Sequence, residues 1–229
     1  MPIDPAAVIW STPVGQRAGK PLLVLLHGLG SNEGALFQLS PYLPLDHVIA
    51  SPRGPIPSGD GWSWFDVAAS RPAPLNRSAD EFADWLADAR GDASSVAVLG
   101  FSQGGVLGLQ ALRRHPELID SLVLLSGTAD DTVDPGDPEL EVLRPPVFWG
   151  RGTRDDVVPG TQLAATREWL EEHSTLTERI YEDVGHWITD AELGEVHDFL
   201  RERNAHAHGH GHGHYDDYDD YDDYDERNP

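Results

Sequence analysis

The chain contains no cysteine and a single lysine, Lys20. Without a thiol there is no disulfide, no zinc–thiolate site and no cysteine nucleophile, so covalent catalysis would have to use serine, threonine, lysine or a carboxylate. Long apolar runs are also missing. The longest, Leu22–Leu26, is far short of the roughly 20 residues that a membrane-crossing helix needs. The opening segment MPIDPAAVIWSTP has neither the basic start nor the apolar stretch of a secretory leader, and the cytoplasm is therefore the expected location. Positive charge is scarce as well: 16 basic residues face 39 acidic ones, for a formal charge of -23. Eight of the acids and one arginine lie in residues 204–229, and without that stretch the chain still carries -16. Such a surface repels nucleic acid and anionic membrane. Arginine in place of nearly all lysine, on an acidic body, fits a protein that stays hydrated in concentrated salt, where a Debye length of about 3 Å at 1 M suppresses self-repulsion. A halophilic source is the expectation.

What is present is enough for one domain with a core: 229 residues, 39% of them hydrophobic. Short apolar runs recur at Leu22–Leu26, His47–Ala50, Val96–Phe101, Leu122–Leu125 and Val147–Trp149, with Leu176–Tyr181 a more polar sixth, and they read as buried strands. Helical patterns lie between most of them. Ser78 and Glu81 form a capping box ahead of Phe82, Trp85, Leu86 and Ala89, which share one helix face. Val106, Leu109, Ala111 and Leu112 follow a helix start near Gln103, and Leu163, Trp169 and Leu170, then Leu193, Val196, Phe199 and Leu200, continue the alternation. Strands alternating with helices imply an α/β fold, a mostly parallel sheet covered on both faces, over residues 1–203.

Three segments break the rhythm. Residues 52–77 carry several prolines together with Trp62, Trp64 and Phe65, and read as a functional loop and candidate pocket wall. Residues 130–146, with Asp-Pro-Gly-Asp-Pro, read as an acidic surface excursion without chemistry. Residues 204–229 are a low-complexity tail that cannot bury a core and is expected to be disordered. In it His206, His208, His210, His212 and His214 alternate mainly with glycine, a spacing that could gather a divalent transition metal, ahead of Tyr-Asp-Asp repeats.

The run Val96 to Gly105 enters Gly100-Phe101-Ser102-Gln103-Gly104 from a buried strand and leaves it on a helical pattern, the setting of a nucleophile elbow. Glycines at its corners let the turn close and leave the Ser102 hydroxyl exposed. The serine needs a base placed after the last strand, in the chain order Ser, acid, His. His115 and His173 sit near helix ends and His197 within the last helix, whereas His186, in Val184-Gly185-His186-Trp187, follows the sixth strand on a glycine turn and is the candidate base. Asp155 and Asp156 stand just beyond a strand, and only one of them can face inward to orient that histidine. Two backbone N–H groups must hold the developing oxyanion. Gln103, after the nucleophile, offers one, and Leu29 in His27-Gly28-Leu29-Gly30 offers the other; His27 belongs to that turn and is structural. Trp64, Phe65 and Trp187 are candidate substrate-pocket walls by placement.

Leu26-His27-Gly28-Leu29-Gly30-Ser31-Asn32-Glu33, Ser51-Pro52-Arg53-Gly54-Pro55, Trp64-Phe65-Asp66, Gly100-Phe101-Ser102-Gln103-Gly104-Gly105, Asp155-x-Val157-Val158-Pro159 and Gly185-His186 resemble the phospholipase/carboxylesterase family of α/β-hydrolases, relatives of the acyl-protein thioesterases. The resemblance spans about residues 20–203. It implies that Asp155, which matches the family's Asp-x-Val-Val-Pro acid, is the triad partner. It also implies a lidless pocket, backbone donors at Leu29 and Gln103, no cofactor, and esters or thioesters as substrates. Arg151-Gly152 stands where relatives often have His-Gly, and Trp187 follows the candidate histidine; both depart from the pattern.

The expected activity is hydrolysis of short to medium acyl esters through an acyl-enzyme on Ser102. A thioesterase or lysophospholipase is the alternative within the class, since one triad attacks either carbonyl. A non-catalytic metal-handling protein on the same scaffold is the alternative outside it. The expected partner is a small-molecule ester, with no nucleic acid or membrane insertion, and the protein acts as a monomer or homodimer.

Overall fold

The computed structural model describes residues 1–68 and 72–209, with the side chains of 205–209 left aside. In chain order the main elements are β1 (Val8–Trp10), β2 (Leu22–Leu26), α1 (Glu33–Phe37), β3 (Val48–Pro52), β4 (Ile56–Ser58), β5 (Gly61–Ser63), α2 (Ala73–Arg90), β6 (Val96–Phe101), α3 (Gln103–Arg114), β7 (Ser121–Leu125), α4 (Asp137–Leu143), β8 (Pro146–Gly152), α5 (Gly160–His173), β9 (Thr175–Tyr181) and α6 (Asp190–Gly209). Seven strands form one sheet in the order β1-β3-β2-β6-β7-β8-β9, parallel except for β1, which pairs antiparallel to β3. All six strands expected from the sequence are present. β1 was not legible: three half-buried residues at an edge carry little periodicity.

The unbroken apolar composition of the central strands follows from burial on both faces. Leu22, Val24, Leu26, Val98, Leu122, Leu124 and Trp149 point to one side, under Phe82 and Leu86 of α2, Leu107 and Leu112 of α3, and Leu170 of α5. Leu23, Leu25, Leu99, Val123, Leu125 and Phe148 point to the other, under Leu36 of α1 and Val196, Phe199 and Leu200 of α6. β9, at the edge, is instead polar and half-exposed, with Glu178 and Arg179 along it, which discourages pairing with another sheet.

Three expectations are corrected. Residues 52–77 are not one loop: β4 and β5 form a hairpin, and α2 already begins at Ala73. The Ser78 and Glu81 pair therefore lies inside α2 rather than at its start. The Ser78 hydroxyl donates to the Trp64 carbonyl at 2.9 Å, and Glu81 receives the chain's N-terminal ammonium. Residues 130–146 are a surface excursion only in part: much of the segment is exposed, but it contains α4 and a buried acidic cluster. Asp130, Asp134 and Asp137 are buried around the end of α3, where the guanidinium of Arg113, itself 1% exposed, takes the Asp130 carbonyl and the Asp137 carboxylate, and the Asp134 carboxylate accepts from Gln110 and Arg114. Asp137 meets it with both oxygens, at 2.9 and 2.8 Å. Burial alone would raise the Asp137 carboxyl, but its bonds to Arg113 and to the Asp134 N–H win and hold it below the usual carboxylate range.

Helix α6 runs past the expected domain edge at residue 203, as far as Gly209. The proposed tail ligands His210, His212 and His214 lie outside the described residues, as do the side chains of His206 and His208. Among the described residues no helix is long and apolar enough to cross a membrane.

Candidate active site

The candidate residues sit on loops that leave the C-terminal ends of β2, β6, β8 and β9, where open parallel sheets place their sites. Leu26 pairs with Gly100 in the β2–β6 register, so the chain after β2 runs alongside the turn after β6. The contact is tight: a β-carbon placed on Gly104 would stand 2.1 Å from the Leu26 carbonyl oxygen, and one on Gly100 would stand 2.4 Å from that of Gly104. No side chain fits at either corner, and the turn between them holds Ser102 at φ 53°, ψ -118°. A positive φ at a non-glycine residue is strained, and here the Ser102 N–H donating to the Leu125 carbonyl at 2.9 Å pins it.

Asp155 lies in the turn after β8. Its Oδ1 accepts the N–H groups of Val157 and Val158, at 3.0 and 3.2 Å, which aims Oδ2 at His186. The Asp155 side chain is 2% exposed and Asp156 is open to solvent, so Asp155 is the member of the pair that faces inward. Gly152 permits this, since a β-carbon there would stand 2.0 Å from the Val184 carbonyl oxygen of the histidine loop. His186 then completes the line: Nδ1 is 2.7 Å from Asp155 Oδ2, and Nε2 is 2.9 Å from Ser102 Oγ. An ionised carboxylate only accepts, so a neutral imidazole between them carries its proton on Nδ1 and leaves Nε2 free to take one from the serine. The ring of Phe101 supports His186 from 5.0 Å. His115 and His173 are placed elsewhere: His115 pairs with Asp80, and His173 stacks on Trp169 while its Nδ1 donates to that residue's carbonyl.

A β-carbon on Gly28 would stand 3.1 Å from the Phe101 ring and 3.6 Å from Ser102 Cβ, so the turn that carries Leu29 passes close to the nucleophile. Among the described residues the Leu29 N–H has no protein acceptor, and Gln103, as the first residue of α3, has no earlier helical carbonyl to meet. Both donors remain available at the site. The adjoining groove, about 520 Å³, is floored by Leu36, Leu39, Phe101 and Ile188. Its rim is apolar and open: Leu29 is 48% exposed, Val157 61% and Trp187 56%.

Trp187 is thus at the groove, but Trp64 and Phe65 are not. Each is 1% exposed in the core and neither lines it. The indole of Trp64 covers the His27 ring at 4.9 Å and donates Nε1–H to the His27 carbonyl at 2.7 Å, because a buried indole nitrogen needs an acceptor and a strand-end carbonyl supplies it. His27 is structural, as expected: Nδ1 donates to the Gly28 carbonyl and Nε2 accepts the Gly54 N–H. Burial lowers its pKa and favours this neutral form.

The β4–β5 hairpin and the side chain of Gln103 are functional supports that sequence reasoning missed. Trp62 exchanges backbone hydrogen bonds with Gly30 and Ser31, at 2.9 and 2.8 Å, so the hairpin braces the turn carrying Leu29. Gly61 makes the approach possible, since a β-carbon there would stand 2.1 Å from the Gly30 carbonyl oxygen. The sequence signal was Gly59-Asp60, a two-residue hairpin loop with Gly59 at φ +61°, between the short strands.

Comparison with known proteins identifies the family. The phospholipase/carboxylesterase family model matches residues 11–204. The esterase YpfH of Escherichia coli strain K12 is 28% identical over 206 residues, covering 82% of this chain and 86% of its own. A carboxylesterase structure from Mesorhizobium loti superposes with a TM-score of 0.71 at 25% identity, over 81% of this chain and 92% of that one. The Bacillus cereus carboxylesterase shares the fold, with a TM-score of 0.73 at 19% identity over 86% and 93% of the two chains. This chain belongs to the phospholipase/carboxylesterase family, serine hydrolases of the carboxylesterase class on an α/β-hydrolase fold.

Proposed function

We propose that the chain hydrolyses short to medium acyl esters with Ser102 as nucleophile, His186 as general base and acid, and Asp155 as the group that orients His186. The observation that carries the reading is the continuous line from Asp155 Oδ2 through the imidazole to Ser102 Oγ, at 2.7 and 2.9 Å. As Ser102 Oγ attacks the ester carbonyl carbon, its proton passes to His186 Nε2 and Asp155 steadies the imidazolium. The carbonyl electrons collect on oxygen, which the Leu29 and Gln103 N–H groups receive. Collapse breaks the bond to the alcohol, which leaves with the proton from His186. Water, deprotonated by the same nitrogen, then attacks the acyl-enzyme and releases the carboxylic acid, restoring Ser102.

The apolar floor and open mouth of the groove suit a neutral acyl chain held against Leu36, Leu39 and Ile188, with Trp187 at the rim. The test is hydrolysis of p-nitrophenyl acetate, butyrate and octanoate by wild type and Ser102→Ala. Turnover is expected to fall by about 10⁴-fold or more in the variant. Equal rates in a folded variant would overturn the assignment, and a thioester series beside the esters separates esterase from thioesterase preference.

A further inference from the structure

Next to the triad one carboxyl is buried with part of its hydrogen-bonding capacity unused. Glu192, in the first turn of α6, is 2% exposed. Its Oε2 accepts the Thr189 N–H at 3.4 Å, and Thr189 Oγ1 accepts the Glu192 N–H at 3.2 Å, a reciprocal cap that fixes where α6 begins. Its Oε1 has no partner among the described residues. This oxygen lies against β8, and a β-carbon on Gly150 would stand 2.1 Å from it, so a glycine in the strand clears the space the carboxyl fills.

An ordinary capping glutamate sits in solvent; this one is wedged between helix and sheet. Its partner Thr189 is joined to His186 only by Trp187 and Ile188, both of which line the groove. The carboxyl that anchors Thr189 therefore also sets where the imidazole hangs over Ser102. We propose that Glu192 is a positioning residue for His186, acting through Thr189. The proposal rests on the reading of His186 as the catalytic base.

Steric fit and one accepted hydrogen bond are what the carboxyl supplies; negative charge is not required. Burial, reinforced by Glu195, pushes its pKa up to about 7. The ionisable groups that face it are Tyr181 on β9 and Glu195 on α6, while Arg179 of β9 is engaged by Glu195. On β8, Arg151 is paired with Glu178, leaving Gly150 and Phe148 toward the carboxyl. An isosteric amide should therefore do the same work, and a methyl group should not.

The experiment measures kcat and KM for p-nitrophenyl butyrate in wild type, Glu192→Ala, Glu192→Gln, Glu192→Leu and Ser102→Ala, each below its own melting temperature. Glu192→Ala is expected to lose at least about tenfold in kcat, the scale on which small misplacements of a catalytic group act, with KM within about twofold. Glu192→Gln is expected to retain most of the wild-type kcat, and Glu192→Leu, which keeps the bulk but accepts no hydrogen bond from the Thr189 N–H, to fall in the same sense as Glu192→Ala. Should Glu192→Ala not fold, the Glu192→Leu and Glu192→Gln pair decides. Wild-type kcat in Glu192→Leu, or a loss in Glu192→Gln as large as in Glu192→Leu, overturns the positioning role. Full activity in Ser102→Ala would instead overturn the reading of the site on which it rests.

Discussion

The side-chain amide of Gln103 clasps the backbone of Trp64, its oxygen accepting the Trp64 N–H at 3.0 Å while its nitrogen donates to the next carbonyl, that of Phe65, at 2.9 Å. The residue whose own N–H is offered to the oxyanion thus also holds the end of the hairpin that braces Leu29. Gln103→Leu keeps the bulk and the backbone donor but strips buried groups of their partners, at about 1–3 kcal/mol for each one left unsatisfied. A fall of roughly 5–15 °C in melting temperature is expected, at about 2–4 °C per kcal/mol for a chain of this size, together with a reduced kcat. Calorimetry and p-nitrophenyl butyrate turnover check it, and an unchanged melt with full activity would remove the brace.

Trp64 and Trp187 should separate cleanly. Trp64→Ala empties a core position beneath His27, so a loss of about 3–5 kcal/mol is expected without any change in acyl-length preference. Trp187 is 56% exposed at the groove rim, and its ring packs on Gly185. Trp187→Ala should cost little stability and should shift the ratio of octanoate to acetate hydrolysis. An unchanged ratio in Trp187→Ala, or a changed one in Trp64→Ala, would reverse these placements.

That reversal of roles marks the boundary of what the sequence discloses. The turns that carry Ser102 and His186 were legible from their glycines, Ser102 directly after an unmistakable apolar strand and His186 after the more polar β9, whereas Asp155 was singled out over Asp156 by the family resemblance alone. Trp64 and Phe65 were misread because a run rich in proline and aromatics looks the same whether its rings face a cavity or a core. What decided the matter was a long-range fact, the Gln103 amide reaching 39 residues back to Trp64. Arg113 was hidden in the same way. An arginine at a helix end reads as a surface charge until residues 130–137 fold over it.

That buried pair is testable in its own right. Arg113 is 1% exposed and is satisfied by Asp137, by the carbonyls of Asp130 and Thr132, and by Gln110. Asp137→Asn leaves a buried guanidinium without its counter-charge, a change that costs about 3–5 kcal/mol where one partner of a buried pair is removed. The double variant Arg113→Met with Asp137→Leu should recover a good part of the loss, because two apolar groups leave no charge stranded. Urea unfolding of the set measures it, and a double variant no more stable than Asp137→Asn would contradict the argument.

Glu192 gives the stability a pH dependence of definite sign. Its folded-state pKa is raised from 4.5 to about 7, so between those values the native state holds a proton that the unfolded chain has released. The contribution is therefore present in full below about pH 4.5 and is lost as pH rises through about 7. Measured from pH 4.5 to 8, the melting temperature of wild type should decline relative to Glu192→Gln, by an amount on the order of 3 kcal/mol in free energy. Parallel curves would mean that Glu192 ionises in the folded protein as it does in water.

Salt should act in the opposite direction to what surface ion pairs alone would suggest. Pairs such as Arg154 with Asp183 and Arg167 with Glu171 are exposed and contribute about 0–1 kcal/mol each, all of it weakened by screening. Against them stands the mutual repulsion of 39 acidic residues with only 16 basic ones to offset them, and screening relieves that repulsion. Because acidic residues outnumber basic ones by more than two to one while each exposed pair is local and weak, repulsion should win. The melting temperature is expected to rise between about 0.1 and 2 M KCl, with most of the gain complete once the Debye length has shrunk to a few ångströms. A melting temperature that fell with KCl would mean that attractive pairs outweigh the net charge, and that the acidity of this chain has another purpose.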